Sequence, residues 1–389
     1  MMNDIYLLQN QVKHYEWGSY DFIPDFLGIK NTKNLPYAEL WMGTHSGAPS
    51  QVEINGNLVN LKDISGELPF LFKLLAVDKP LSIQAHPDKE QAEIGFSKEE
   101  ELGISLKNPM RNYKDNNHKP EILCALTPIT LMAGFKEPVL IQKSLEELLT
   151  VAPQIKEFIS SLIHALKTKS LGGFFNTLFN TSGFEREYFN SFLLDKNSGV
   201  SDSVIQPQEK ALIKQFISQY PGDPAVISPL YLNLITLLPG QAVYIPAGIL
   251  HAYISGFGIE LMTSSDNVLR GGLTPKHVDI NELSNILYFV PFKPQIISPS
   301  SSDLFCFHAQ KKDFSLCFIK NSGGLKKYIL TSNTICIVTE GELQTCGKSF
   351  KKGQSFFIKK NTDEDHIIFD GNFSLYAASD STIKKYENI

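Results

Sequence analysis

Leu238-Pro239-Gly240-Gln241-Ala242-Val243-Tyr244-Ile245-Pro246-Ala247-Gly248-Ile249-Leu250-His251-Ala252-Tyr253 reads as a Gly-Gln turn, an aromatic-bearing strand, a Pro-x-Gly turn, and a histidine that opens another strand. The pattern returns near the end of the chain. There Lys352-Gly353-Gln354-Ser355-Phe356-Phe357-Ile358 leads to His366-Ile367-Ile368, and Gly371 follows as Gly256 does in the first copy. Two copies of one β pattern predict two barrel-like β units, the second a decayed repeat of the first. Runs at 334–340 and 374–378 supply further strands of a small antiparallel barrel.

Upstream, Leu81-Ser82-Ile83-Gln84-Ala85-His86-Pro87-Asp88-Lys89 alternates apolar and polar residues. As a strand it sends Ser82, Gln84 and His86 to one face, which makes either a solvated strand or the wall of a functional cavity. Pro87 and Asp88 can start a short helix through Ala92, followed by a polar, irregular stretch to Asn117. In Asn117-His118-Lys119-Pro120-Glu121-Ile122-Leu123, Lys119 and Glu121 share a strand face. Tyr37-Ala38-Glu39-Leu40-Trp41-Met42-Gly43-Thr44-His45 reads as a core strand in which Glu39 and His45 satisfy backbone groups.

Between the β-rich flanks the period changes. Ile155, Phe158, Ile159, Leu162, Ile163 and Leu166 recur at helical spacing, as do Leu212, Ile213, Phe216 and Ile217, with Pro221-Gly222-Asp223-Pro224 closing the segment. His164 and the phenylalanines of 172–184 read as packing. The fold class is therefore mainly β, two β units with an inserted α-helical domain. The expected division is 1–138 and 225–288 for the first β unit, 139–224 for the insertion, and 289–389 for the second β unit.

A chain of 389 residues is long enough for more than one core, and a formal charge of −5 argues against a nucleic-acid partner. No run approaches the roughly 18 apolar residues of a membrane span, and the amino terminus has no basic start followed by an apolar segment. A cytoplasmic protein is expected. Cys124, Cys306, Cys317, Cys336 and Cys346 form an odd set without CxxC spacing, most of them inside apolar runs. They read as buried free thiols.

Gly240, Pro246, Gly248 and His251 fit the second signature of the cupin superfamily, with Ser255 where an asparagine is usual. In cupins that histidine is a metal ligand directed into a jelly-roll barrel. The usual first signature is absent; Gln84-Ala85-His86 and Glu121 stand in its place. Zinc accepts imidazole nitrogen and carboxylate oxygen, and a catalytic site leaves one position open.

Longer blocks carry a closer resemblance. Tyr15-Glu16-Trp17-Gly18, the 36–44 segment, Gln84-Ala85-His86-Pro87-Asp88-Lys89, Asn117-His118-Lys119-Pro120-Glu121 and Ser265-Asp266-Asn267-Val268-Leu269-Arg270-Gly271-Gly272-Leu273-Thr274-Pro275-Lys276 resemble, in order, the hallmark blocks of type I mannose-6-phosphate isomerases. Gly271 stands where that family commonly has alanine, and residues 280–389 match only in general character. The resemblance implies one zinc per chain held by Gln84, His86, Glu121 and His251, with Arg270 essential. It also implies pocket roles for Lys73, His118, Lys119, Glu260, Asp266 and Lys276, in phosphate binding or proton transfer, and substrate contacts from Ser82, Tyr253 and Trp17.

The implied reaction interconverts mannose 6-phosphate and fructose 6-phosphate through a cis-enediolate. One carboxylate with neutral ligands leaves a zinc site net positive, suited to an oxygen that gains negative charge. Arg270, with Lys276 or Lys73, suits a phosphate. Glu260, Lys119 and Asp266 are candidate bases, and His118 is the candidate for ring opening. The expected partner is a small sugar phosphate, with no nucleic acid and no membrane, and a monomeric chain. One rival is a sugar-phosphate-binding cupin without catalysis, a sensor module. An iron cupin oxygenase would want more histidines.

Overall fold

The computed structural model describes residues 4–151, 156–180, 206–308, 313–361 and 365–386. The run that begins at His251 forms one long strand, His251–Thr263, which belongs to two sheet regions in turn. Its first residues pair antiparallel with Gln84 and with the strand Ile129–Phe135. From Gly256 onward it pairs with Phe70–Val77 on one side and Glu121–Ala125 on the other. Gly256 makes this corner possible, because φ is +115° and a Cβ there would lie 2.4 Å from the Pro128 carbonyl oxygen.

The second unit repeats the device. Its strand Asp365–Ser379 pairs first with Lys326–Leu330, then with Ser315–Ser322 and Thr334–Thr345. Gly371 stands at the change with φ +110°. The echo of Gly256 in Gly371 thus marks equivalent bends in two cupin-type units. The sheets do not close into barrels; the path through the first unit runs from Ile296–Ile297 at one edge to Gln11–Lys13 at the other. The amino-terminal strand Asp4–Leu7 pairs with Ser355–Lys359 and so joins the sheet of the second unit.

The helices Pro138–Val151, Lys156–Phe179 and Pro207–Gln219 form the helical insertion. They bury Leu145, Ile159, Leu162, Phe174, Phe175 and Phe216 against Ile83, Met132, Phe135 and Leu269 of the first unit, so one sheet face is covered by helix. His164 is exposed, not packed, on the outer side of its helix. Phe184 lies outside the described residues.

Two further expectations change. The helix after His86 runs Lys89–Glu101, well beyond Ala92, because Asp88 and Gln91 form a capping box and the charged residues that follow favour helix. Cys306 and Cys317 are not free thiols: they lie opposite each other on paired strands and form a disulfide. Strand register, which spacing alone does not reveal, brings them together. Cys124 and Cys336 are buried free thiols, and Cys346 is a half-buried one.

Candidate metal centre and its cavity

The corner strand starts at His251 and the neighbouring strand at Glu121, while the two-residue strand Gln84–Ala85 lies between His251 and Arg270. Four separate stretches therefore meet at one end of the first β unit. His86 Nε2 lies 3.1 Å from Glu121 Oε1, and His251 Nε2 lies 3.4 Å from Glu121 Oε2. All three residues are buried and their ligand atoms fall within 4.8 Å of one another. Gln84 completes the group, its amide 3.4 Å from His251 Nε2.

Hydrogen bonds to main-chain carbonyls fix how both imidazoles face Glu121. His86 Nδ1 donates to the Asn267 carbonyl at 2.6 Å and His251 Nδ1 to the Ile249 carbonyl at 2.9 Å, so both Nε2 lone pairs face Glu121. Burial, and then the Lys119 ammonium, push the His86 imidazole down to about 4. Burial alone would raise the Glu121 carboxyl, but Lys119 and His86 beside it hold it well below the usual carboxylate range. His86 Nε2 makes no hydrogen bond, and apart from it Glu121 Oε1 has only the Lys119 ammonium beside it. Buried acceptors that face one another without a proton are costly unless a cation joins them. The donor set of imidazole nitrogens, a carboxylate and an amide fits zinc, and a half-turn of the Gln84 amide would bring its oxygen to the same place.

A hollow of about 260 Å³ opens beside the cluster, lined by Lys73, Gln84, Lys119, Glu121, Tyr253, Glu260, Asp266 and Arg270 among others. Lys119 Nζ lies 3.2 Å from Glu121 Oε1, and the Tyr253 hydroxyl donates to Glu121 Oε2 at 2.7 Å. Lys73 and Glu260 are direct cross-strand partners, 2.9 Å apart. Burial opposes the Lys73 ammonium, but Glu260 and Glu39 hold it charged and raise its pKa. Burial raises Glu260, and Lys73 only partly offsets this. Glu39 is 3.6 Å from Lys73 and accepts from Trp41 Nε1 at 2.7 Å.

Glu39 therefore belongs to the site, although its sequence context reads as core. The available signal was the shared face of Glu39 and Trp41, an acid beside an indole donor. His45 likewise pairs with the exposed Asp266 at 3.3 Å and holds that carboxyl below its ordinary value.

Other expected residues lie elsewhere. His118 precedes the strand that starts at Glu121; it lines a separate hollow with Asp115 and Asp266, and pairs with Asp313 of the second unit at 3.0 Å. Lys276 is outside the metal hollow and joins Arg270, Lys114 and His277 in an adjacent one of about 520 Å³. Arg270 and Asp266 border both. Ser82 is half-buried and Trp17 stacks on Tyr15, and neither lines the metal hollow. Such differences follow from side-chain direction, which a matched block does not specify when a strand is irregular.

Known proteins resemble this chain over most of its length. The family model for phosphomannose isomerase type I, catalytic domain, matches residues 5–138. The mannose-6-phosphate isomerase of Escherichia coli (strain K12) is 40% identical over 296 residues, covering 71% of this chain and 73% of that protein. The mannose-6-phosphate isomerase of Bos taurus is 30% identical over 413 residues, covering 92% and 94%. The crystal structure of mannose 6-phosphate isomerase from Salmonella typhimurium, bound to substrate and to a zinc atom, matches with a TM-score of 0.86 at 34% identity, covering 97% of this chain and 100% of that one.

Proposed function

This chain belongs to the type I phosphomannose isomerase family, and from that membership we infer that it interconverts mannose 6-phosphate and fructose 6-phosphate with one zinc ion per chain. The observation that carries the reading is the buried cluster of His86, Glu121 and His251, whose ligand atoms lie within 4.8 Å of one another beside a hollow rich in charge. Gln84, His86, Glu121 and His251 would hold the ion. Bound there, zinc supplies Lewis acidity to substrate oxygens that gain negative charge.

The residues around it divide the remaining work. Arg270 offers a planar fork for phosphate, and Lys276 adds a point charge in the adjoining hollow. Holding that remote group fixes the reacting carbons over the metal end of the cavity. Glu260, buried and raised, is the group we assign to proton transfer between C2 and C1, with Lys73 and Glu39 setting its charge state. Tyr253 and Lys119 orient Glu121. Ring opening needs a group at the mouth. Asp266, kept ionised by His45, meets that need better than His118, which faces the neighbouring hollow.

No helix among the described residues is long and apolar enough to cross a membrane. A cytoplasmic, monomeric enzyme with the four-segment division given above completes the proposal. Turnover in deuterated water tests it: solvent deuterium is expected at C2 of recovered mannose 6-phosphate, and Glu260→Gln is expected to lower kcat by roughly 10²–10⁴-fold. Tight binding of the sugar phosphate with neither product nor exchange would contradict it and favour a non-catalytic binding module.

A further inference from the structure

Asn267 is fully buried in an irregular segment, three positions before Arg270 and outside every strand and helix. Its polar atoms are all paired. The side-chain oxygen accepts the backbone N–H of Lys114 at 2.7 Å and of Asp115 at 3.2 Å. The side-chain nitrogen donates to the carbonyls of Asp115 at 2.8 Å and Asn117 at 2.9 Å, and to Asp115 Oδ1 at 3.2 Å. Its own N–H donates to Ser265 Oγ at 3.2 Å, and its carbonyl accepts His86 Nδ1–H at 2.6 Å.

These contacts join three parts of the site that the chain keeps far apart. The loop 114–117 runs directly into Lys119 and Glu121. The segment after Asn267 carries Arg270. The carbonyl of Asn267 fixes which nitrogen of His86 faces the metal position. The side-chain amide therefore ties the loop that leads to Glu121 to the segment that carries Arg270, and the main-chain carbonyl of the same residue holds His86. A carboxamide suits this position because it presents an acceptor to two N–H groups and donors to two carbonyls at once. Neither aspartate nor a hydrocarbon can satisfy both sides.

We propose that Asn267 is the positioning residue that couples zinc binding to the geometry of the substrate cavity. The inference rests on the zinc reading of the site. It predicts that loosening the amide moves zinc affinity and sugar-phosphate affinity together, although Asn267 touches neither ligand through its side chain.

Asn267→Asp keeps the size and the acceptor but turns an oxygen towards two carbonyls and the Asp115 carboxylate. Zinc affinity of the full chain is measured by competition with a chromogenic chelator, alongside KM and kcat for mannose 6-phosphate in the zinc-loaded protein. The expected result is a roughly 10–100-fold loss of zinc affinity together with a raised KM. A folded variant with zinc affinity within about twofold of the parent overturns the inference, even if its melting temperature falls. Asp115→Asn tests the same contacts from the loop and carries the same expectation. Failure of both variants to fold in the presence of zinc would also overturn it, by making the contacts a requirement of the fold and not of the site. If the unsubstituted protein binds no zinc, the functional reading itself fails, which is a distinguishable outcome.

Discussion

His86 shows how one side chain carries both chemistry and stability. Buried first, and faced by Lys119, its imidazole is held down at about 4 from an ordinary 6.5. Between those values the unfolded chain takes up a proton that the folded chain refuses, so the metal-free protein becomes less stable as pH falls through that window. The full effect is about 3 kcal/mol. Urea midpoints of the metal-free protein are expected to drop between pH 6.5 and 4, with a flatter profile for His86→Gln; parallel profiles would contradict the assignment. Glu39 offers a second test. Glu39→Gln keeps the Trp41 contact but removes one of the carboxylates that hold Lys73, so kcat is expected to fall about tenfold while KM changes little. At this scale the meeting of Gln84, His86, Glu121 and His251 was legible in the sequence, because the first three sit in matched blocks and His251 ends a recognisable turn signature. Glu39 and Asn267 were not, since their roles depend on which distant groups reach them: Lys73 on another strand for one, the 114–117 loop for the other.

At the scale of elements, the corner strands carry the argument. Gly256 and Gly371 each occupy a left-handed φ, with a carbonyl oxygen 2.4 Å from where a Cβ would stand. Either glycine changed to alanine should destabilise the protein by about 3 kcal/mol or more, since strain and steric overlap add. Gly324 has φ +80° with open space around it. Its change to alanine should therefore cost only about 1 kcal/mol. Equal losses at the corner glycines and at Gly324, measured by chemical denaturation, would argue against the corner account. The repeat of a Gly-Gln turn, strand, histidine and glycine was readable because it is local. The length of the helix after Asp88 was underestimated because its capping box is a geometric match between Asp88 and Gln91, and its exposed face carries no hydrophobic period to announce it. The Cys306–Cys317 pair was missed for a related reason: register across a hairpin, not spacing, puts the two residues opposite each other.

Across the whole molecule, one hydrophobic cluster runs from the first β unit into the second, joining Leu40, Phe72, Ile259 and Phe257 to Phe307, Leu316, Ile335 and Tyr376. The strand Asp4–Leu7 and the His118–Asp313 pair tie the units further. Removal of residues 289–389 would expose that apolar surface, so the shortened chain is expected to aggregate, and the intact chain to unfold its two β units in one calorimetric transition. Two well-separated transitions would contradict a shared core. This attachment could not be read from the sequence, because nothing local distinguishes an apolar strand that fills its own unit from one that packs against another. We propose more narrowly that Gln84, His86, Glu121 and His251 hold the one zinc that isomerisation needs. The most direct test of this is titration of the chelator-stripped protein with zinc while conversion of mannose 6-phosphate to fructose 6-phosphate is followed. Activity should rise from near zero in proportion to added zinc and level off at one ion per chain; full turnover by the stripped protein would contradict the account.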